Sequence, residues 1–191
     1  MNTILYINGC VRSASRTDRL ARAVLAQMKG NIEEIRLCDI GIRPLDEKRL
    51  ARRDELIEAG NYSDEMFDLA CRFRDADIIV MSAPYWDLQF PALIKIFIEN
   101  ITVTGLTFKY TEEGYPKGLC RARKLIYVTT SGGSIGPYDF GYEYIRTLAE
   151  GMFGIEKTVS YRAENLDIVG NDPEQILAGT IAEIKSKEEN Q

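Results

Sequence analysis

Short apolar runs that alternate with helix-patterned segments constrain the fold of this chain more than any other feature. Residues 3–7, 77–81 and 124–128 are almost continuously apolar, as strands buried on both faces of a sheet are. Residues 32–38 alternate and predict an edge strand, and residues 154–159 predict a fifth strand. Strands that alternate with helices favour a parallel sheet with right-handed crossovers. We therefore predict an α/β fold with a doubly wound, five-stranded parallel sheet in the order 2-1-3-4-5 and helices on both faces.

The segments between these runs have helical periodicity. Apolar residues recur at i, i+3, i+4 and i+7 from Met66, from Ile94 and from Ile145, which predicts one apolar stripe on each helix. Segment 41–62 is charged and predicts a loop with a short helix. Segment 102–118, between the third helix and the fourth strand, is less regular. Long excursions of this kind often carry functional residues, because loops carry sites on rigid scaffolds.

Length, charge and cysteine usage narrow the class of protein. The 191 residues suit a single domain over residues 1–191. The 24 basic and 29 acidic residues leave a net charge of −5, which argues against nucleic acid as the main partner. No signal peptide or membrane span is visible, and the charged tail 185–191 is expected to fray. The four cysteines are scattered and form no CxxC pair, so we expect reduced thiols in the cytoplasm and no metal site.

The chain contains no histidine. This excludes nucleophile–histidine pairs, histidine metal ligands and imidazole acid–base chemistry. We therefore predict no catalytic side chain and favour a cofactor that brings its own chemistry.

Three polar loops follow the first, third and fourth predicted strands. The carboxyl ends of parallel strands meet at one edge of a sheet, where ligands bind near the switch point in strand order. We therefore expect the three loops to converge on one crevice. The candidate cofactor-binding residues are Arg12, Ser15, Arg16 and Thr17 in the first loop, Pro84, Tyr85, Trp86, Asp87 and Leu88 in the second, and Thr130, Ser131, Gly132 and Gly133 in the third.

The first loop ends a strand and opens a helix, a position that favours a phosphate group. It has neither the G-x-G-x-x-G fingerprint nor a P-loop, so a single phosphate monoester is the simplest ligand. Ser and Thr that merely cap a helix are the alternative. The same residues also fit C-x5-R-T, with Cys10 as the thiolate and Arg16 as the phosphate ligand of a low-molecular-weight cysteine phosphatase. We favour a structural role for Cys10, as a small residue at the end of a strand.

The second and third loops fit a flat aromatic ligand. The aromatic residues from Pro84 to Asp87 suit an isoalloxazine ring, whose edge accepts hydrogen bonds from backbone amides while aromatic side chains cover its face. Gly132 and Gly133 allow positive φ and a close approach of the backbone to such a ring. An aromatic cap on the core and an ordinary glycine-rich turn are the alternatives.

With these motifs the chain resembles the flavodoxin-like NAD(P)H:quinone oxidoreductases and FMN-dependent NADH-azoreductases, from the first strand to Ser134 and more loosely to the last helix. The most specific motif is T-F-K-Y-T-E-E-G at residues 107–114. The resemblance implies a flavodoxin-like fold, an FMN phosphate held by Ser15, Arg16 and Thr17, a turn at residues 84–88 around the flavin ring, and a homodimer with sites between subunits.

The resemblance also implies an activity. NAD(P)H would pass a hydride to flavin N5, and a quinone, azo compound or similar small-molecule acceptor would then take it in a ping-pong scheme. Tyr85, Trp86, Tyr110 and Tyr138 could form the walls of the acceptor pocket. Three alternatives stay open: the cysteine phosphatase, a flavodoxin-type electron carrier, and a cofactor-free protein that acts through a partner.

Overall fold

The computed structural model describes residues 1–189, and a five-stranded parallel sheet lies at its centre. In chain order the strands are β1 (Thr3–Asn8), β2 (Asn31–Arg36), β3 (Ile78–Ser82), β4 (Phe108–Tyr110), β5 (Pro116–Gly118), β6 (Lys124–Thr130) and β7 (Lys157–Ala163). The sheet has the order β2-β1-β3-β6-β7, and every neighbouring pair is parallel. Counted among the sheet strands alone, this is 2-1-3-4-5, which confirms the predicted fold.

Among residues 1–189, five α-helices lie between strands and a sixth follows β7. They are α1 (Arg16–Leu25), α2 (Glu47–Glu58), α3 (Asp68–Asp75), α4 (Ala92–Ile101), α5 (Phe140–Leu148) and α6 (Pro173–Glu189), with a 3-10 turn at Glu65–Phe67 and a π-helical turn at Ala149–Phe153. None of the helices in the described part of the chain combines the length and apolar character needed to cross a membrane. The predicted fraying of the tail falls partly on residues 190 and 191, which lie outside the described residues.

The continuous apolar runs serve both faces of the sheet. Successive side chains of a strand point to opposite faces of the sheet. In β3, Ile79 therefore lies on one face and Val80 on the other. Ile79 belongs to a core cluster that includes Phe73 of α3 and Phe97 of α4. Val80 belongs to a second cluster that includes Leu20 of α1 and Leu177 of α6. Helices therefore cover both faces of the sheet. The loops at the carboxyl ends of the strands lie at its edge, where a ligand can reach them.

Two local predictions differ from the structure, and a third agrees with it. The fifth strand was predicted at residues 154–159, but Gly154 has φ 77° and ends the preceding helical turn, so β7 runs from Lys157 to Ala163. The charged segment 41–62 contains a loop and the helix α2, as predicted, and the helix has 12 residues and buries only Leu56. The excursion at residues 102–118 contains an antiparallel hairpin of β4 and β5.

Candidate functional site

A cleft of about 390 Å³ opens where the carboxyl ends of the sheet strands meet. Loops that follow β1, β3, β6 and β7 line it. The lining residues are Val11, Arg12, Ala14, Ser15, Arg16, Thr17, Pro84, Tyr85, Trp86, Thr130, Ser131, Gly132, Leu166 and Asp167. The structure thus brings the three predicted loops together. Of the predicted cofactor-binding residues, Asp87, Leu88 and Gly133 do not line the cleft.

The start of α1 forms one part of the cleft. The Ser15 hydroxyl caps the helix by accepting a hydrogen bond from the Asp18 amide at 3.3 Å. The next residues, Arg16 and Thr17, open the first turn. Amide groups of a first helical turn have no partner within the helix and carry the positive end of its dipole, which favours an anion. Arg12 is exposed and adds a second guanidinium to this end of the cleft.

A buried hydroxyl pair joins the first loop to the third. Thr17 Oγ1 lies 2.6 Å from Thr130 Oγ1, and both residues are buried. This bond fixes the first turn of α1 against the end of β6. Thr17 therefore positions the phosphate-binding loop, in addition to any contact with a ligand.

A fourth loop, which sequence reasoning missed, completes the cleft. The β7–α6 segment runs beside the third loop, with the Leu166 amide bonded to the Ser131 carbonyl at 3.1 Å and the Asp167 amide bonded to the Gly132 carbonyl at 2.9 Å. Because this loop follows a strand of the parallel sheet, correct placement of that strand would have predicted it. Because the fifth strand was placed too early in the sequence, residues 164–172 were not recognised as a loop at the carboxyl edge.

Asp167 brings a carboxylate to the phosphate end of the cleft. Its Oδ1 accepts a hydrogen bond from Arg16 Nη1 at 2.8 Å. A Cβ on Gly132 would lie 2.5 Å from its Oδ2, so the carboxylate fills the space that a side chain at position 132 would need. Neither Gly132 nor Gly133 uses the positive φ that glycine allows. The close approach at Gly132 is to Asp167.

The second loop is a tight, strained turn. Trp86 and Gln89 exchange backbone hydrogen bonds of 3.2 and 2.8 Å, and the two central residues, Asp87 and Leu88, have φ of 49° and 67°. Two central residues with positive φ define a primed turn, which normally carries glycine or asparagine. Aspartate tolerates this region, whereas leucine is strained there by about 1–3 kcal/mol. Such strain clusters at ligand sites, where it presents backbone groups in a fixed orientation.

Tyr85 ties the second loop to its surroundings. Its amide donates to the Thr130 carbonyl at 3.0 Å, and its hydroxyl donates to the Tyr138 carbonyl at 3.0 Å. Partial desolvation, with help from Asp139 and Glu164, raises the pKa of Tyr85. The phenol therefore stays protonated at neutral pH, and its proton is engaged with the backbone.

Of the four residues predicted as acceptor-pocket walls, Tyr85 and Trp86 line the cleft, whereas Tyr110 and Tyr138 lie outside it. Tyr110 is 57% exposed on the β4–β5 hairpin, and its ring packs edge-to-face on Phe108, with 5.4 Å between ring centroids. Tyr138 is 55% exposed and contacts the site through its carbonyl bond with Tyr85. Neither residue lines the cleft of the single chain.

Cys10 has the environment of a structural thiol. The residue is buried, its amide donates to Asn8 Oδ1 at 3.0 Å, and its Sγ lies 3.6 Å from Ser82 Oγ. Burial raises the pKa of the Cys10 thiol, whereas a nucleophilic cysteine needs a lowered one. Cys10 does not line the cleft, and Arg16 is paired with Asp167. The arrangement favours the structural role and does not support the phosphatase.

The two ends of the cleft differ in chemistry, and together they fit FMN. Guanidinium groups, hydroxyls and a helix N-terminus suit a phosphate monoester, and the Pro84–Tyr85–Trp86 backbone and rings suit a flat aromatic system. The volume of about 390 Å³ falls within the range of about 300–1,000 Å³ that is usual for small-ligand sites.

The sequence is similar to those of known proteins over nearly its whole length. The sequence model of the family described as having the flavodoxin-like fold matches residues 2–187. The FMN-dependent NADH:quinone oxidoreductase 2 of Clostridium acetobutylicum is 36% identical, over 98% of each chain. The FMN-dependent NADH:quinone oxidoreductase of Clostridium perfringens (strain ATCC 13124) is 33% identical, over 92% of each chain.

Solved structures share the fold at lower sequence identity. The azoreductase from Bacillus anthracis strain Sterne superposes with a TM-score of 0.85 at 19% identity and covers 100% of both chains. The FMN-dependent NADH-azoreductase of Bacillus anthracis strain Ames Ancestor, solved in complex with FMN, has a TM-score of 0.81 at 22% identity, over 100% of this chain and 99% of that one.

Proposed function

Because the chain belongs to the flavodoxin-like fold family, among the FMN-dependent NADH:quinone oxidoreductases, we propose that it binds FMN and reduces quinones, azo compounds or similar small molecules with NADH. One observation carries the proposal. A single cleft joins the N-terminus of α1, with Arg12 and Arg16, to the aromatic turn after β3. The named activity of the relatives and the fold of the azoreductases support it.

In this proposal, the residues at the start of α1 hold the phosphate. Arg16 and Thr17 supply backbone amides at the positive end of the helix dipole, and Arg12 and Arg16 supply positive charge. Charge-assisted hydrogen bonds of this kind are worth about 1.5–3 kcal/mol each. Ser15 already caps the helix, and Thr17 already bonds Thr130. These two residues therefore shape the loop as well as adding polar oxygen atoms to it.

The turn after β3 orients the ring. Its strained conformation fixes the backbone of residues 84–88, and Tyr85 anchors the turn through its bonds to Thr130 and Tyr138. Trp86 is 42% exposed, and its ring is available at the edge of the cleft. Because the Tyr85 proton is held by a backbone carbonyl, this tyrosine acts as an anchor and not as a proton donor to substrate.

The reaction itself belongs to the cofactor. When bound, FMN supplies hydride transfer through N5 in a ping-pong sequence, from NADH to the acceptor. The side chains bind the phosphate, orient the ring and cover it from water. A chain without histidine needs no further catalytic group for this role.

A homodimer is part of the proposal, and so is a cytoplasmic location. Tyr110 and Tyr138 do not line the cleft of one chain, so they can serve as acceptor walls only near the rim or in a site shared between subunits. The exposed aromatic side chains of Tyr110, Tyr115 and Tyr138 are consistent with burial against a second copy.

The decisive experiment is the visible absorption spectrum of the purified protein, followed by heat release and chromatographic identification of the flavin. We expect bound FMN and steady-state oxidation of NADH with a quinone and with an azo dye. A protein that neither carries nor takes up a flavin would refute the proposal. A flavoprotein that turns over with neither small acceptor would instead favour the electron-carrier alternative.

A further inference from the structure

The ion pair between Arg16 and Asp167 occupies the phosphate end of the cleft. Both residues line the cleft, and their contact of 2.8 Å joins the start of α1 to the β7–α6 loop. One of the two guanidinium groups at this end of the cleft is therefore already bound to a carboxylate of the same chain.

The structure builds a place for this carboxylate. The Asp167 amide is bonded to the Gly132 carbonyl at 2.9 Å, and Asp167 Oδ2 fills the space that a side chain at position 132 would occupy. One oxygen thus lies against the third loop while the other accepts the hydrogen bond from Arg16. Asp167 therefore lies between the start of α1, where the phosphate is proposed to bind, and the third loop.

The pair is also weak enough to be displaced. The Arg16 and Asp167 side chains are 39% and 68% exposed, and solvent-exposed pairs add little to folding stability. A phosphate dianion carries more charge than a carboxylate and forms stronger bonds with a guanidinium. Opening the pair to admit a phosphate therefore costs the fold little, but it reduces the net gain from binding.

We propose that Asp167 is an internal competitor for Arg16, which lowers the affinity of the cleft for the phosphate group of the flavin. The inference rests on the proposed function, since it concerns the same cleft. Asp167 acts in two ways: it holds the guanidinium in the free protein, and its negative charge repels an incoming phosphate. A flavin without a phosphate would not experience either effect.

The test compares Asp167→Asn with Glu174→Gln as a matched control. Glu174, at the start of α6, forms a comparable ion pair with Arg19 of α1, through two bonds of 2.8 and 2.7 Å. Both side chains are similarly exposed, but neither residue lines the cleft. Dissociation constants of apoprotein for FMN and for riboflavin are measured by flavin fluorescence quenching. Inorganic phosphate serves as a competitor, and melting temperatures of the apoproteins show whether the variants fold.

We expect Asp167→Asn to bind FMN about tenfold more tightly, which corresponds to about 1.4 kcal/mol, and to leave riboflavin binding unchanged. Inorganic phosphate should compete more strongly with FMN in this variant. The gain should shrink at high salt, because the pair is exposed. In an Arg16→Ala background the gain should fall below threefold, since the competition for the guanidinium is gone. Glu174→Gln removes a nearby carboxylate that forms no bond with Arg16, so it should change the FMN dissociation constant by less than about twofold and leave riboflavin binding unchanged.

Several results would overturn the inference. Equal or weaker FMN binding by Asp167→Asn would mean that Asp167 instead positions Arg16 or is irrelevant to it. An equal gain for riboflavin, or for Glu174→Gln, would mean that the effect is not at the phosphate. If Asp167→Asn does not fold, Asp167→Ser, which also keeps the backbone bond to Gly132, is measured against the same outcomes. If no variant binds FMN, the proposed function fails as well, whereas FMN binding without a difference removes only this inference.

Discussion

Tyr6 and Tyr127 are two buried tyrosines that differ in what their hydroxyls meet. Tyr6, on β1, donates to Asp18 Oδ1 at 2.7 Å and lies 2.9 Å from Ser82 Oγ. Tyr127, on β6, faces the other side of the sheet, and its hydroxyl has no hydrogen-bond partner among the described residues. Burial raises the pKa of both phenols. A buried hydroxyl is favourable only when it is bonded, so the two should respond differently to its removal.

We predict that Tyr6→Phe lowers the free energy of unfolding by about 1–3 kcal/mol, because Asp18 and Ser82 lose a buried partner. Tyr127→Phe should leave it unchanged or raise it by about 1 kcal/mol, since it removes only an unpaired polar group. Urea unfolding of the two apoproteins at pH 7 measures both values. A similar loss in the two variants would contradict the difference in partners.

Cys10 permits a second prediction at the scale of the residue. Its thiol is buried with a raised pKa, whereas Cys38 is exposed. Cys10→Ser should retain most of the rate of NADH oxidation and show no phosphatase activity, as wild type should. In wild type, iodoacetamide should alkylate Cys38 well before Cys10, as read by peptide mass spectrometry. Cys38→Ser is the matched control. Lost turnover in Cys10→Ser with flavin still bound would assign the thiol a role in the reaction.

At the scale of the element, the turn at Trp86–Gln89 has a strained backbone and lies beside the cleft. Leu88 has φ 67° and a half-exposed side chain, so its conformation costs free energy that its packing does not recover. The turn begins at the cleft residue Trp86 and directly follows Tyr85, which also lines the cleft. Strain held by the surrounding bonds is typical of a loop that must present its backbone in one orientation.

We predict that Leu88→Asn is more stable than Leu88→Ala by about 0.5–1 kcal/mol, because asparagine tolerates the left-handed region better than alanine. The two variants lose the same exposed leucine, so their difference isolates the backbone. The same pair of substitutions at Ile168, which is equally exposed and lacks a positive φ, should give no such preference. Urea midpoints measure all four proteins, and equal preferences at both positions would remove the strain argument.

The β4–β5 hairpin is a second element whose effect on the acceptor can be measured separately from FMN binding. Tyr110 lies on it, away from the loops that line the cleft. Tyr110→Ala should leave FMN content unchanged and alter the kinetics with quinone or azo acceptors, mainly through KM if the lost contact is equal in ground and transition states. Tyr115→Ala, on the same hairpin and 70% exposed, is the control for general loosening. Normal kinetics with every acceptor, or lost FMN, would place Tyr110 outside the acceptor site.

For the molecule as a whole, apolar runs predicted the sheet because central strands must be apolar on both faces. The same reasoning failed at β7, where Ser160 and Arg162 interrupt the apolar pattern of an edge strand. Because the predicted strand was placed too early in the sequence, the loop that contains Asp167 was not predicted. The hairpin was missed because its strands have only three residues each.

The candidate site could likewise be predicted only in part. Residue types and positions after strands identified most of the cleft-lining side chains, because topology brings those loops together. What each residue contacts could not be predicted: Gly132 makes room for a carboxylate, and Arg16 is paired across 151 residues of sequence. The homodimer, the cytoplasmic location and the single domain over residues 1–191 stay predictions.

Four loops from distant parts of the chain meet at the cleft, so a ligand there should stabilise the whole molecule. Binding to the folded state alone adds RT ln(1 + [L]/Kd), about 2.7 kcal/mol at about 100 times Kd. For a chain of this size, each kcal/mol raises the melting temperature by about 2–4 °C. We therefore expect FMN in such excess to raise the melting temperature of apoprotein by about 5–10 °C, measured by calorimetry. Riboflavin at the same concentration should give a smaller rise, and Arg16→Ala should reduce the difference between the two flavins. Equal rises for both flavins in wild type would show that the phosphate end of the cleft does not contribute to binding.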